Sequence, residues 1–127
     1  MSFVRSFTLV VVCAGLLLTA CGGGGGGGTA PATTREFKVT ATDFKYDPAD
    51  QTFKPGEKLK VTMTNKGAVD HTWVLTDASG AELTKLEVKV GATASKEFTA
   101  PAAGNYNIVC DIAGHKEAGM QAKATVK

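Results

Sequence analysis

Apolar and polar residues alternate in several short segments of the chain, and a period of two is typical of β-strands with one buried face. Residues 37–42 and 59–64 alternate strictly, residues 86–90 and 122–126 repeat the pattern, and a shorter candidate lies at 96–99. Turn signals rich in Gly, Pro and Asn separate these segments. Strands at this spacing predict an all-β fold, a two-sheet antiparallel sandwich.

Two further segments, 71–75 and 106–110, are rich in β-forming residues and carry a histidine and a cysteine. Their period of two turns these side chains toward the core together with apolar neighbours. The sequence shows no long helical period, although one turn of helix within 79–86 is compatible with it. The predicted inward-facing residues are His71, Trp73, Leu75, Tyr106, Ile108 and Cys110.

The first twenty residues predict an export signal. Arg5 is their only charge, and the apolar run at 7–18 is too short for a comfortable membrane span. The run leads into Leu-Thr-Ala-Cys, which resembles the bacterial lipobox, in which the cysteine, here Cys21, is lipidated and becomes the mature N-terminus. A signal that is cleaved without lipidation is the alternative.

Seven consecutive glycines at 22–28 predict a flexible tether, because glycine loses the most entropy on ordering. The predicted organisation is a lipoprotein signal peptide at 1–20, a lipidated, Gly-rich tether at 21–34 and a folded domain at 35–127, exported to the outer face of the bacterial cell membrane or the periplasm. Removal of Arg5 leaves 13 basic and 12 acidic residues in the mature chain. This balance argues against a nucleic-acid partner.

The mature sequence has two histidines, one candidate free thiol and two methionines. Cys110, His115 and Met120 follow one another with four residues between neighbours, and His71 lies upstream in a predicted core strand. Two imidazoles, a thiolate and a weak axial thioether are the ligand set of an electron-transfer copper site. Cu(I) favours soft sulfur and Cu(II) accepts imidazole nitrogen, so one site can serve both oxidation states.

Each of these residues also has a simpler explanation when it is taken alone. A histidine on an apolar strand face is more often a hydrogen-bonded core residue, and a lone methionine usually fills the core, as we expect of Met63. The metal-site explanation is preferred because it uses both histidines, the candidate thiol and one of the two methionines together.

The segment 106–120, together with 70–75 upstream, resembles the cupredoxins, the blue-copper family of plastocyanin, azurin and the membrane-anchored bacterial auracyanins. The resemblance covers 35–127 and implies a Greek-key β-sandwich with one type 1 copper per chain. The roles it implies are buried nitrogen ligand for His71, thiolate ligand for Cys110, outer nitrogen ligand for His115 and axial ligand for Met120.

One departure from the family concerns the residue after the first histidine, which is usually Asn and is Thr72 here. In relatives that Asn fastens the ligand strand to the Cys-bearing loop. Thr72 keeps its backbone N–H for the Cys110 sulfur, and we expect its hydroxyl to replace part of the amide's role. Ile112 is the other residue expected beside the ligands.

The loop around His115 predicts a docking surface, because an electron needs a short path from metal to partner. Ala113, Gly114 and Ala118 are small or apolar and would form a modest patch with residues 67–69. We expect a monomer that exchanges electrons with redox proteins of a photosynthetic or respiratory chain and is held at the membrane by its lipid.

Enzymatic and binding functions remain as alternatives. Cys110 and His115 could act as nucleophile and base, or a His₂Cys site could hold zinc, but neither explanation uses Met120. A copper nitrite reductase would need histidines for a second copper, which the sequence lacks. A copper carrier or storage module would use several Met or Cys ligands in an open site. The sequence therefore favours an electron carrier without catalytic activity.

Overall fold

The computed structural model describes residues 33–127, which form a β-sandwich of two sheets without an α-helix. Cys21 and the predicted signal lie outside the described residues. Within the described part, no helix has the length and apolar character needed to cross a membrane. The strands are β1 (Arg35–Thr42), β2 (Lys45–Asp47), β3 (Gln51–Phe53), β4 (Lys58–Asn65), β5 (His71–Thr76), β6 (Glu82–Val88), β7 (Thr93–Thr99), β8 (Gly104–Val109) and β9 (Gln121–Val126).

One sheet has four strands in the order β2-β1-β4-β7, and the other has five in the order β3-β9-β8-β5-β6. Most neighbouring strands are antiparallel, but β1 pairs with β4 and β3 pairs with β9 in parallel. The chain passes from β2 in the first sheet to β3 in the second before it returns as β4, and this crossing lets β1 and β4 run in the same direction. The all-β, two-sheet prediction is confirmed, with these two parallel pairs as the difference.

The core lies between the sheets and supports the strand that carries His71. Strand β4 buries every second residue, as strict alternation predicts. Trp73 of β5 is fully buried, and its ring centroid lies 5.9 Å from that of Phe37 and 5.7 Å from that of Phe98. Aromatic packing therefore fixes β5 from inside the sandwich, two residues beyond His71.

Three features differ from the sequence prediction. Strands β2 and β3 were not predicted, because three residues are too few to reveal a period. Strand β6 begins at Glu82, so the helical turn considered within 79–86 is absent, and the side chain of Asp77 accepts the backbone N–H groups of Ser79 and Ala81 in a tight turn instead. Strand β5 is buried on both faces, not on one.

Candidate metal centre

Three of the predicted ligands meet at one end of the sandwich. His71 begins β5, Cys110 directly follows β8, and His115 lies in the loop between β8 and β9. A ring nitrogen of each imidazole and the sulfur of Cys110 all lie within 4.8 Å of one another. This spacing suits a single ion with metal–ligand bonds of about 2 Å, so the three residues are arranged as a possible metal site.

Met120 directly precedes β9 and is fully buried. Its backbone is tied to two of the other predicted ligands. The Cys110 N–H donates to the Met120 carbonyl at 3.1 Å, and the Met120 N–H donates to the His115 carbonyl at 2.9 Å. The fold thus brings the Met120 backbone beside the site, while the axial role of its thioether stays a prediction.

The loop between β8 and β9 is held by its own backbone. The His115 N–H donates to the Ile112 carbonyl at 3.0 Å, and the Ala118 N–H donates to the Gly114 carbonyl at 3.0 Å. Gly114 and Gly119 have φ angles of 84° and 103°, a region that glycine enters without steric cost. These bonds and turns give the ligand loop a defined shape.

The same loop exposes one side of the site. Ile112 is half-buried and packs against the core, whereas Ala113, Gly114 and Ala118 are exposed. His115 is partly exposed, in contrast to the fully buried His71. Of the two histidines, only His115 therefore has any surface exposed to solvent.

The environment of His71 fits a metal ligand. Among the described residues neither of its ring nitrogens has a hydrogen-bond partner, and an unsatisfied buried polar group costs about 1–3 kcal/mol. Burial, and then the neighbouring His115, lower the pKa of His71, while Asp43 acts in the opposite direction. The imidazole is therefore favoured in its neutral form, which is the form that binds metals.

The Cys110 sulfur is fully buried and contacts Thr72 and His115. The Thr72 backbone N–H donates to it at 3.4 Å, and Nδ1 of His115 also lies at 3.4 Å. The Thr72 hydroxyl lies 3.4 Å from the sulfur but 2.8 Å from the Asp111 carboxylate, so its single proton goes to the closer, charged acceptor. The Asp111 N–H donates back to this hydroxyl at 3.0 Å. Thr72 thus ties β5 to the segment that carries Cys110.

Asp111 directly follows Cys110, and sequence reasoning did not place it among the residues that support the site; in the structure its carboxylate accepts hydrogen bonds from the Thr72 hydroxyl and from Lys85. Burial acts to raise the pKa of Asp111, but the hydrogen bonds from Lys85 and Thr72 lower it below its usual value. Tyr46 was also missed: its hydroxyl donates to the Thr72 carbonyl, and burial, with Cys110 and Asp111 nearby, raises its pKa. The position of Asp111 directly after Cys110 was a sequence signal that could have identified it as a residue near the site. No local sequence feature identifies Tyr46 in this way.

The turn between β1 and β2 is a further element that sequence reasoning missed. The Oδ1 atom of Asp43 lies 3.7 Å from Nε2 of His71, and the Phe44 ring meets the His115 ring edge-on with centroids 5.1 Å apart. Phe44 has a φ of 63°, a conformation that costs a non-glycine residue about 1–2 kcal/mol. These contacts join distant parts of the sequence, so no local pattern reveals them.

A two-sheet sandwich in which two imidazoles and a buried thiol converge at one end is typical of small copper proteins. The chain matches the family described as "cupredoxin-like domain" over residues 7–126 and belongs to that family. It is also similar to the copper-resistant cuproprotein CopI of Rubrivivax gelatinosus, with 28% identity over 115 residues that cover 77% of this chain and 70% of CopI.

Solved auracyanin structures share the fold. Auracyanin B superposes with a TM-score of 0.69 at 20% identity, over 76% of this chain and 91% of the other. Auracyanin A, a "blue" copper protein from Chloroflexus aurantiacus, superposes with a TM-score of 0.67 at 21% identity, over 75% of this chain and 100% of the other. The resemblance to cupredoxins that the ligand loop suggested is therefore confirmed.

Proposed function

We propose that the protein is an electron carrier with one type 1 copper per chain. The observation that carries the proposal is a buried cysteine sulfur grouped with two imidazole nitrogens within 4.8 Å. His71, Cys110 and His115 would hold the copper, with Met120 as the axial ligand. When bound, copper supplies a reversible one-electron change between Cu(I) and Cu(II).

The surrounding residues suit electron transfer better than catalysis. Cys110 has no exposed surface, so its sulfur is a poor nucleophile for an outside substrate, whereas a buried sulfur suits a metal that stays in place. The Thr72 N–H supplies a fixed donor to this sulfur. The partly exposed His115 offers a short route for the electron to the surface.

The central test is copper titration of the apoprotein followed by visible spectroscopy. We expect one copper to bind per chain, with a strong thiolate-to-copper absorption in the oxidised form that disappears in Cys110→Ala. Met63→Leu is the matched control, because Met63 is equally buried but lies in β4. A colourless copper-loaded protein, or colour retained in Cys110→Ala, would contradict the proposal.

Copper handling is a second candidate, supported by the similarity to CopI, whose name describes copper resistance. A carrier of copper ions must release its metal, whereas a carrier of electrons must keep it through each cycle. Repeated oxidation and reduction in the presence of a copper chelator distinguishes the two. Retained colour and stoichiometry favour electron transfer, and progressive loss of copper favours delivery or storage.

For docking, we propose that a redox partner of a photosynthetic or respiratory chain meets the surface around His115. The supporting residues are the exposed Ala113, Gly114 and Ala118 and the Phe44 side chain, which is 38% exposed and contacts the His115 ring. A small apolar patch suits a short-lived redox encounter. The carrier would act as a monomer.

We further propose that Cys21 anchors the protein to the outer face of the cell membrane. The support is the Leu-Thr-Ala-Cys sequence after an apolar run and the glycine tether that follows. Two or more lipid chains give stable attachment. Cys21→Ser should leave the protein unprocessed or move it to the soluble fraction. Wild-type protein that washes from membranes without detergent would contradict the anchor.

A further inference from the structure

His71 has two ring nitrogens, and a metal can bind only one of them. Its side chain is fully buried, and in the described residues neither nitrogen has a hydrogen-bond partner. A metal-binding histidine nearly always donates its other ring N–H to a carboxylate, carbonyl or water, because that contact sets the tautomer and orients the ring. A complete site therefore needs an acceptor for the second nitrogen of His71.

Asp43 lies where that acceptor is needed. Its Oδ1 atom is 3.7 Å from Nε2 of His71, and a shortening of about 1 Å would give a hydrogen bond. The same oxygen accepts the Ala68 backbone N–H at 2.9 Å, so the loop between β4 and β5 holds it in place. Nε2 faces this carboxylate, which leaves Nδ1 as the nitrogen available to the metal.

Gly67 keeps the space for this contact open. A Cβ atom at Gly67 would lie 2.5 Å from Oδ1 of Asp43 and 2.7 Å from Nε2 of His71. Both distances are too short for real contacts, so any larger residue would push the carboxylate and the imidazole apart. Phe44, directly after Asp43, has a left-handed φ of 63°, so the turn that carries Asp43 has an unusual backbone conformation next to this contact.

We propose that Asp43 is a positioning residue for the metal site: it accepts the Nε2–H of His71, fixes the tautomer that presents Nδ1, and favours the more highly charged Cu(II) state. The metal-dependent part of this inference rests on the proposed function. The contact between Asp43 and His71 belongs to the apoprotein and can be tested without copper.

The apoprotein test uses ¹⁵N-labelled protein and long-range N–H correlation spectra of His71. We expect the Nε2–H tautomer in the wild type and in Asp43→Asn, because an Asn oxygen that accepts the Ala68 N–H would face the ring in the same way. Asp43→Ala and Gly67→Ala should give a mixture of tautomers. The same mixture in the wild type would overturn the proposal.

The copper test measures Cu(II) affinity and reduction potential in the same variants. Loss of an outer-shell partner typically lowers metal affinity about 10–100-fold. A tenfold loss confined to Cu(II) corresponds to a potential raised by about 59 mV. We expect a raised potential in Asp43→Ala, in Gly67→Ala and also in Asp43→Asn, which keeps the acceptor but removes the negative charge.

Two control variants separate this effect from general destabilisation. Asp50→Ala removes a similar carboxylate contact, since Oδ1 of Asp50 accepts the Lys123 backbone N–H at 3.0 Å. Gly104→Ala adds a Cβ whose nearest neighbour lies at an ordinary 3.5 Å. Potentials in the Asp43 variants that move no further than in these controls would overturn the proposal. Failure of the wild type to bind copper would refute the proposed function and leave the tautomer spectra to decide the contact.

Discussion

Replacing Thr72 with Val tests how the protein holds its cysteine without the Asn that is usual in the family. Valine has nearly the shape of threonine but removes the hydroxyl that accepts the Asp111 N–H at 3.0 Å and donates to its carboxylate at 2.8 Å. A hydrogen bond to a charged group contributes about 1.5–3 kcal/mol. The Asp111 side chain is 38% exposed and can regain water, so we expect a loss of about 2 kcal/mol.

The assay is urea unfolding of the apoprotein at neutral pH, which keeps the measurement independent of copper. With a slope of about 2 kcal/mol per molar, the midpoint should fall by about 1 M. Thr76→Val is the matched control, because Thr76 lies in the same strand and is also buried, but its hydroxyl makes only a 3.5 Å contact with the Asn107 carbonyl. That variant should change little.

A double-mutant cycle with Asp111→Ala isolates the contact between the two side chains. If Thr72 and Asp111 act as a unit, the sum of the unfolding free energies lost in the two single variants should exceed the loss in the double variant by about 1 kcal/mol or more. Additive losses would refute the reasoning, and so would a Thr72→Val variant as stable as Thr76→Val. Either result would mean that the backbone alone joins β5 to the Cys110 segment.

Three further predictions concern the axial ligand, the docking surface and acid stability. Met120→Leu should keep copper and raise the reduction potential, because a weaker axial donor favours Cu(I). Met63→Leu is the control and should leave the potential unchanged. Loss of copper in Met120→Leu would identify Met120 as a principal ligand. Ala118→Glu should slow electron self-exchange about tenfold with an unchanged copper spectrum, because two copies of the protein would then meet with like charges at their docking surfaces. Ala102→Glu is the control, since Ala102 is exposed and lies before β8 begins. Equal self-exchange rates in the two variants would place the docking surface elsewhere. A hydrogen bond from Arg35 is the largest cause that lowers the pKa of Glu57 from 4.5 to about 2, so the stability that this pair contributes is complete above pH 4.5 and is lost as the pH falls toward 2. Because the Arg35 side chain is 45% exposed, solvent screens the pair, and urea unfolding should show about 1 kcal/mol of pH-dependent stability that Glu57→Gln lacks; equal pH profiles would contradict this.

The strands that the sequence predicted well are those whose local pattern already encodes their surroundings. Strand β4 alternates over its whole length and buries the residues that its period selects. The short strands β2 and β3 have no such pattern, and their positions depend on pairing with β1 and β9. Parallel pairing of β1 with β4 could not be predicted either, because it depends on where the chain crosses between the sheets.

The residues of the candidate site also fall into those that the sequence predicted and those that it could not reveal. Cys110, His115 and Met120 lie in one short loop, so their spacing alone indicated that they belong together. Asp43 approaches His71 from the turn between β1 and β2, nearly thirty residues earlier in the sequence, and only the tertiary fold makes the two residues neighbours. Residues that bind a metal carry a chemical signature in the sequence, whereas the carboxylates and aromatic rings that support them are common residue types whose role depends on position.

The arrangement of the supporting contacts explains why a small sandwich suits an electron carrier. His71 belongs to β5, which is fixed by Trp73 in the core, while the other predicted ligands belong to a loop closed by backbone hydrogen bonds. These two rigid parts meet where Thr72 contacts both Cys110 and Asp111. Among the described residues, the hydrogen bonds that close the loop join backbone groups and leave the imidazole nitrogens of His71 and His115 unused, so a change in the charge of a bound copper would not require these bonds to break. If the protein carries electrons as proposed, a site supported in this way would keep its geometry during the transfer, because the protein fold, more than the oxidation state of the metal, would set the positions of the ligands.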